Sequence, residues 1–312
     1  MRARGRIALS LAALAVCALT VGLSAASFTD TSQNPQTVSA VADFLAPSAA
    51  ASVVAKSQGG VAGYVKKGGT YYVYASVTES GNPASGVASA RADVSALTSG
   101  QTAVNLVAGN YSVDGDSYNY RSAQLTAGAS LSAGAKSYSL ALADAAGNSR
   151  TQSFAATVDN GPFAGSDFET ANASDGTSGK AEKGDTVSFV FNKTPDPSSI
   201  VSGWDGSGTR AVTVAIADSS SNDVLSVSGA TIGSVGLQGN YTTTGRTTSF
   251  TGSGLWLSGS TVTIVLGTDS AGNARSETDK NKPAWAPSAS NYDVAGNACS
   301  TATVTGDNLR QF

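Results

Sequence analysis

Apolar and polar residues alternate with a period of two over much of the chain. In Thr70 to Thr78, Tyr71, Val73, Ala75 and Val77 fall on one side, and Tyr72, Tyr74, Ser76 and Thr78 fall on the other. That period belongs to a strand of an antiparallel sheet with one buried face. It returns at Tyr138, Leu140 and Leu142, and after a turn at Phe154, Ala156 and Val158. A second series runs through Val187, Phe189 and Phe191, then Val212, Val214 and Ile216, then Val262, Ile264 and Leu266. Strands at this spacing, with Gly, Asn, Asp and Ser between them, predict an all-β chain of stacked sheets. The breaker Asp159–Asn160–Gly161–Pro162 separates the two series, so the expected bodies are residues 52–160 and 161–312.

The N-terminus follows another pattern. Arg2, Arg4 and Arg6 precede an almost wholly apolar run from Ile7 to Leu23, and Ser24–Ala25–Ala26 are small. This is the layout of a secretory signal, residues 1–26, cut after Ala26. Ile7 to Ala26 also has about the ~20-residue length that spans a bilayer, so an uncleaved anchor stays open, and with it membrane contact through this segment only. Cys17 follows Val16, which is bulky where a lipoprotein attachment site wants a small residue; Cys17 is read as one more apolar residue. Residues 27–51, rich in Ser, Ala, Gln and Pro, read as a linker, with no sorting motif or second apolar span after it. Immediately after the cut site stands Ser27–Phe28–Thr29–Asp30–Thr31. This run resembles the SipW-type signal peptides of Gram-positive bacteria and archaea, and the resemblance implies export of a surface or matrix-fibre protein.

One turn recurs: Asp144–Ala145–Ala146–Gly147–Asn148, Asp269–Ser270–Ala271–Gly272–Asn273 and Asp293–Val294–Ala295–Gly296–Asn297. An Asp side chain accepts nearby backbone N–H groups, while Gly and Asn tolerate positive φ, so each copy suits a reversal. With Tyr138 six residues before Asp144, the first copy resembles the last two strands of bacterial immunoglobulin-like repeats. That resemblance implies a tyrosine corner at Tyr138, and two immunoglobulin-like sandwiches in all. Residues 192–204 and the tail from Trp285 to Thr301 resemble a module of secreted actinobacterial proteins that brings no function with it. The third turn, at Asp293, is expected as an extra C-terminal hairpin on the second sandwich.

Composition narrows the chemistry. Aromatic residues make up 7% and charged residues 13% of 312 residues, which suits strands and turns more than surface helices. The formal net charge is -3, and three of the 19 basic residues lie in the first six positions. A mature chain more acidic than that, with no basic cluster, speaks against nucleic acid as a partner. Histidine is absent, which removes Ser-His-Asp and Cys-His catalysis and the commonest zinc ligand. Lys66, Lys67 and Lys180 lie near serines but without a strand-turn-helix context, and Gly206–Ser207–Gly208 and Gly252–Ser253–Gly254 open no helix that would cradle a phosphate. Asp114, Asp116, Asp167 and Glu169 are the acids available for a glycosidase-like pair. No catalytic residue and no cofactor is expected, and the metal question stays open: Asp114–Gly115–Asp116, Asp144 or Asp269 could offer oxygens to Ca²⁺, without the alternating acids of an EF-hand. Cys299 has no mature partner, so no disulfide framework is expected.

The expected function is therefore non-catalytic: a secreted or cell-surface structural or adhesion protein, a matrix or fibre component among the possibilities. The alternative is a carbohydrate binder for cell-wall or host glycans, with Tyr72 and Tyr74 on one strand side and Tyr111, Tyr118 and Tyr120 around the acidic loop. Self-association is a further expectation. Thr37 to Ala42 alternates enough to add as a strand to a neighbour's sheet edge.

Overall fold

A computed structural model describes residues 43–56, 61–278, 281–307 and 312. The expected signal segment, Cys17 and the arm at 37–42 lie outside the described residues. Residues 48–51, expected as linker, already belong to the first strand.

The first half consists of β1 (Ser48–Lys56), β2 (Tyr64–Val65), β3 (Thr70–Thr78), β4 (Val87–Asp93), β5 (Val104–Val113), β6 (Asp116–Ser122), β7 (Leu125–Thr126), β8 (Gly134–Asp144) and β9 (Ser149–Val158). Hydrogen bonding orders them β1-β3-β6-β5-β4-β8-β9-β2, with β7 beside β3. β5 serves two layers. Val104 and Asn105 pair with β4, and Leu106 onward pairs with β6, so the path folds over at this strand. Between the layers lie Tyr71, Val73, Ala75 and Val77 of β3, as their alternation requires, facing Tyr138, Leu140 and Leu142 of β8 and Ala156 and Val158 of β9.

The second half contains β10 (Phe163–Ala171), β11 (Thr186–Phe191), a one-turn helix α1 (Pro197–Ile200), β12 (Arg210–Ala217), β13 (Val224–Ser228), β14 (Ser234–Gly236), β15 (Thr247–Ser258), β16 (Thr261–Val265), β17 (Thr268–Asp269), β18 (Ala284–Ala286), β19 (Cys299–Ser300) and β20 (Val304–Thr305). Its sheet runs β10-β11-β16-β15-β12-β13-β14-β18-β20, with β19 parallel to β10 and β17 beside β15. The opening path β10-β11-β16-β15-β12 repeats β1-β3-β6-β5-β4. The hairpin β13–β14 then separates β12 from the last strands. The sheet curls until its ends meet: a Cβ on Gly165 of β10 would lie 2.6 Å from Trp285 and 3.0 Å from Val304 of β20, so only glycine admits this approach.

The two cores differ in material. The first is mostly Val, Ala and Leu. The second is built around Trp285, whose ring meets Phe189 and Phe191 edge-on at 5.2 and 5.1 Å, while Phe163 stacks on Phe191 at 5.0 Å. Trp285 Nε1 donates to the Ile232 carbonyl at 2.9 Å, so no indole donor is stranded in the interior. Val187, Phe189, Phe191, Val212, Val214, Ile216, Val262, Ile264 and Leu266 all lie in this core, on the side their alternation assigned.

Tyr138 departs from the tyrosine-corner expectation. A corner tyrosine bonds backbone a few residues upstream. Here its hydroxyl lies 2.9 Å from Ser52 Oγ on β1. Ser52 Oγ already donates to the Tyr74 carbonyl at 2.8 Å, so Tyr138 is the donor to Ser52. The residue thus ties β8 to β1 across the layers. Burial pushes its phenol well above the ordinary tyrosine range, the Ser52 bond acting in the opposite direction.

Candidate functional site

Two of the three recurrent turns are the same object. In the first, Asp144 N–H donates to the Asn148 carbonyl at 3.0 Å, Asn148 N–H to Asp144 Oδ1 at 2.7 Å, and Asn148 Nδ2 to Asp144 Oδ2 at 2.7 Å. In the Asp293 copy the corresponding distances are 3.0, 2.8 and 2.8 Å. Gly147 and Gly296 hold φ of 93° and 89°, where a β-carbon is strained. Each Asn also reaches the chain entering its own half: Asn148 Nδ2 donates to the Asp43 carbonyl at 3.1 Å, and Asn297 Nδ2 to the Asp159 carbonyl at 3.0 Å. Each entering aspartate makes the same local turn, accepting at Oδ1 from the N–H two residues on, Leu45 at 3.0 Å and Gly161 at 2.8 Å. The Asp293 turn therefore bonds its entering chain as the Asp144 turn between β8 and β9 does, although it lies between β18 and β19, is spanned by the antiparallel Tyr292–Ala298 bridge, and leads into a strand parallel to β10. The Asp269 copy differs. Its carboxylate caps Ala271 and Gly272 N–H groups, and Asn273 Nδ2 turns away to the Thr247 carbonyl at 3.2 Å.

The charges at the two clamps are opposite in kind. After β11, Lys193 Nζ lies 2.8 and 2.9 Å from the Asp159 oxygens, 2.8 Å from the Gly161 carbonyl and 3.4 Å from Asp293 Oδ2. Burial raises the Asp159 carboxyl, but the ammonium and the Gly161 N–H outweigh it and hold the group below the usual carboxylate range. After β3, the charged residue beside the turn is Glu79. One carboxylate oxygen each from Asp43, Glu79 and Asp144 lie within 4.8 Å of one another, with Asp43 4% and Asp144 3% exposed.

The junction between the halves is bonded on both sides. Asp159 N–H donates to the Val65 carbonyl at 3.0 Å, and Asn160 accepts from Lys67 N–H at 2.7 Å and donates to the Leu131 carbonyl at 2.7 Å. Lys56, at the end of β1, reaches Asp196 Oδ2 at 2.6 Å, and Asp196 also caps α1 through Ser198 N–H at 3.0 Å. Lys56 further lies 5.8 Å over the Tyr292 ring beside the Asp293 turn.

The tyrosines are divided between two faces. Tyr72, Tyr74, Tyr111 and Tyr118 gather on the outer face of the first half's sheet, with Tyr74 and Tyr118 buried and 5.8 Å apart. Arg121 lies over Tyr72 and Tyr111 at 4.5 and 4.4 Å, so a guanidinium occupies ring faces on which a sugar would stack. Tyr120 points the other way and packs against the core.

The remaining sequence candidates do not converge. Asp114 and Gly115 form the tip between β5 and β6 at φ of 52° and 85°, and Asp114 Oδ2 accepts from Ala62 N–H at 2.5 Å. Asp167 and Glu169 sit two apart on β10 in the other half; burial first, and the Asp167 charge next, raise Glu169. Lys180 pairs with Glu182 at 2.8 Å. The Gly206 to Gly208 turn supplies the Ser207 carbonyl that accepts from Trp204 Nε1 at 2.8 Å. Cys299 is free and buried, and burial raises its thiol. Among the described residues no helix is long and apolar enough to cross a membrane.

Sequence reasoning singled out the Asp-x-x-Gly-Asn turns but missed Asp43, Glu79 and Lys193, which carry no motif of their own. The available signal was an aspartate a few residues before the first strand of each series. A scan against protein-family models finds no match to this chain, and a search of curated proteins finds none.

Proposed function

We propose that the chain is a non-catalytic exported protein of the cell surface or extracellular matrix, in which two immunoglobulin-like sandwiches act as one stiff spacer. The order β1-β3-β6-β5 facing β4-β8-β9 matches a constant-type immunoglobulin sandwich, to which β2 adds in parallel beside β9. The observation that carries the spacer reading is the bonded junction. A flexible tether would leave residues 159–162 to solvent, whereas here Asp159 and Asn160 are fixed to both halves and Lys56–Asp196 adds a shielded ion pair. Removing one partner of such a pair costs about 3–5 kcal/mol when it is fully buried, and somewhat less for this partly screened lysine.

Small-angle scattering of the secreted chain tests this, beside a variant with Gly-Ser repeats inserted between Asn160 and Gly161. The native chain is expected to scatter as one rigid body and the insertion variant as two independent ones. Identical flexible behaviour of both would sink the spacer reading. A glycan array run on the same protein decides the carbohydrate alternative, since selective binding lost on Tyr72→Ala would replace a spacer by a lectin-like module.

A further inference from the structure

We propose that the entrance of the first half is a calcium site, formed by the carboxylates of Asp43, Glu79 and Asp144. Three observations meet there. The first is electrostatic: three acids converge within 4.8 Å, two of them almost fully buried, and among the described residues none of the three is in an ion pair. Asp43 already accepts from the Leu45 and Ser85 N–H groups and Asp144 from Asn148, so these donors offset part of the like charge and leave the Glu79 carboxylate as the group that a cation would balance. The second is an orphan atom. Glu79 Oε1 accepts from Ser80 N–H at 3.1 Å, while Glu79 Oε2 is shut off from solvent and has no hydrogen-bond partner. An acceptor in that state is costly unless something positive meets it.

The third observation is the second half of the same molecule. There the equivalent aspartates, Asp159 and Asp293, close around the Lys193 ammonium, which stands just after β11 as Glu79 stands just after β3. One clamp carries its cation on a side chain. The other carries a third carboxylate, Glu79, on the loop after β3, which suits an external divalent ion where the second half holds an internal ammonium.

Ligand chemistry selects the ion. All three donors are hard oxygens, which excludes preference for a thiolate- or imidazole-seeking metal. Ca²⁺ holds six to eight oxygens at ~2.3–2.6 Å in flexible geometry, which three carboxylate oxygens within 4.8 Å of one another can join together with water. Mg²⁺ draws its ligands to ~2.0–2.1 Å and keeps more of its water. Because the Asp43 carbonyl is held by Asn148 and the Asp144 carboxylate by the same residue, a bound ion would fix the entering chain to the β8–β9 turn.

Calorimetric titration and thermal melting of the whole secreted chain, stripped with EDTA, test the site. One Ca²⁺ per chain is expected, with Kd in the ~10⁻⁴–10⁻³ M range of extracellular modules. Saturation should raise Tm by about 5 °C. Glu79→Gln keeps the size and the Ser80 bond but should weaken Ca²⁺ at least tenfold. Glu79→Lys imitates the second half: it should take up no Ca²⁺ and melt in EDTA no lower than the native chain. Absence of Ca²⁺ uptake by the native protein, or uptake unchanged in Glu79→Gln, overturns the proposal. Mg²⁺ binding as tight as Ca²⁺ overturns the choice of ion.

Discussion

The first and second halves close on their entering chain with the same atoms and balance the charge in opposite ways. Asn148 and Asn297 make the same three contacts within about 0.1 Å of each other, yet one clamp contains Lys193 and the other Glu79. The turn geometry is thus a property of the five-residue motif together with an aspartate at the entrance, and the electrostatics are set by one residue on a neighbouring loop. The Asp269 copy shows the same dependence from the other side. Its motif matches, but its amide bonds the Thr247 carbonyl rather than a chain entering the half.

The cores are the other contrast, and they give the largest expected effect. Trp285→Ala should destabilise the second half by about 3–5 kcal/mol, because the residue touches both Phe189 and Phe191 and the emptied volume cannot collapse around rigid rings. Urea unfolding followed by fluorescence and by far-UV circular dichroism reads this. If the first half lost as much as the second, the two cores would be one cooperative unit rather than two.

Next in size are the clamps. Asn148→Ala and Asn297→Ala should each cost about 1–3 kcal/mol, since each leaves a shielded carboxylate oxygen and a backbone carbonyl short of a donor. Asn273→Ala, whose amide makes one exposed bond, should cost under about 1 kcal/mol. Equal losses at all three positions, measured by chemical denaturation, would erase the distinction between the copies.

The smallest effect distinguishes the halves by pH. The Tyr138 phenol is raised in the folded state, so the stability gained by keeping it protonated is complete below the unfolded tyrosine value near 10 and is lost as pH rises beyond it. Tyr138→Phe should cost about 1 kcal/mol at neutral pH through the lost Ser52 bond and should flatten part of the alkaline decline of the first half. An unaltered alkaline melting profile in the variant would show that Tyr138 does not titrate with unfolding.

Much of the architecture could be read from alternation. Tyr71, Val73, Ala75 and Val77, and the Phe189 and Ile264 series, all face the interior because a pleated strand sends every second side chain to one side. The reversal at Gly147 followed from residues that accept positive φ. The start of β1 at Ser48 was hidden, because Ser48 to Ala51 carries no large apolar residue and is a strand only through its pairing with β3. Glu79 and Lys193 each read as one polar residue in a loop.

Local sequence settles what depends on neighbours a few residues away: the period of the strands, the turns, the missing histidine and the small, β-prone composition. Tertiary structure decided which turns are equivalent, where Tyr138 finds its partner and which acids share a site. Asp43, Glu79 and Asp144 are separated by dozens of residues, and only the pairing of strands brings them together. Coulomb energy depends on distance through space, which the order of residues along the chain does not contain.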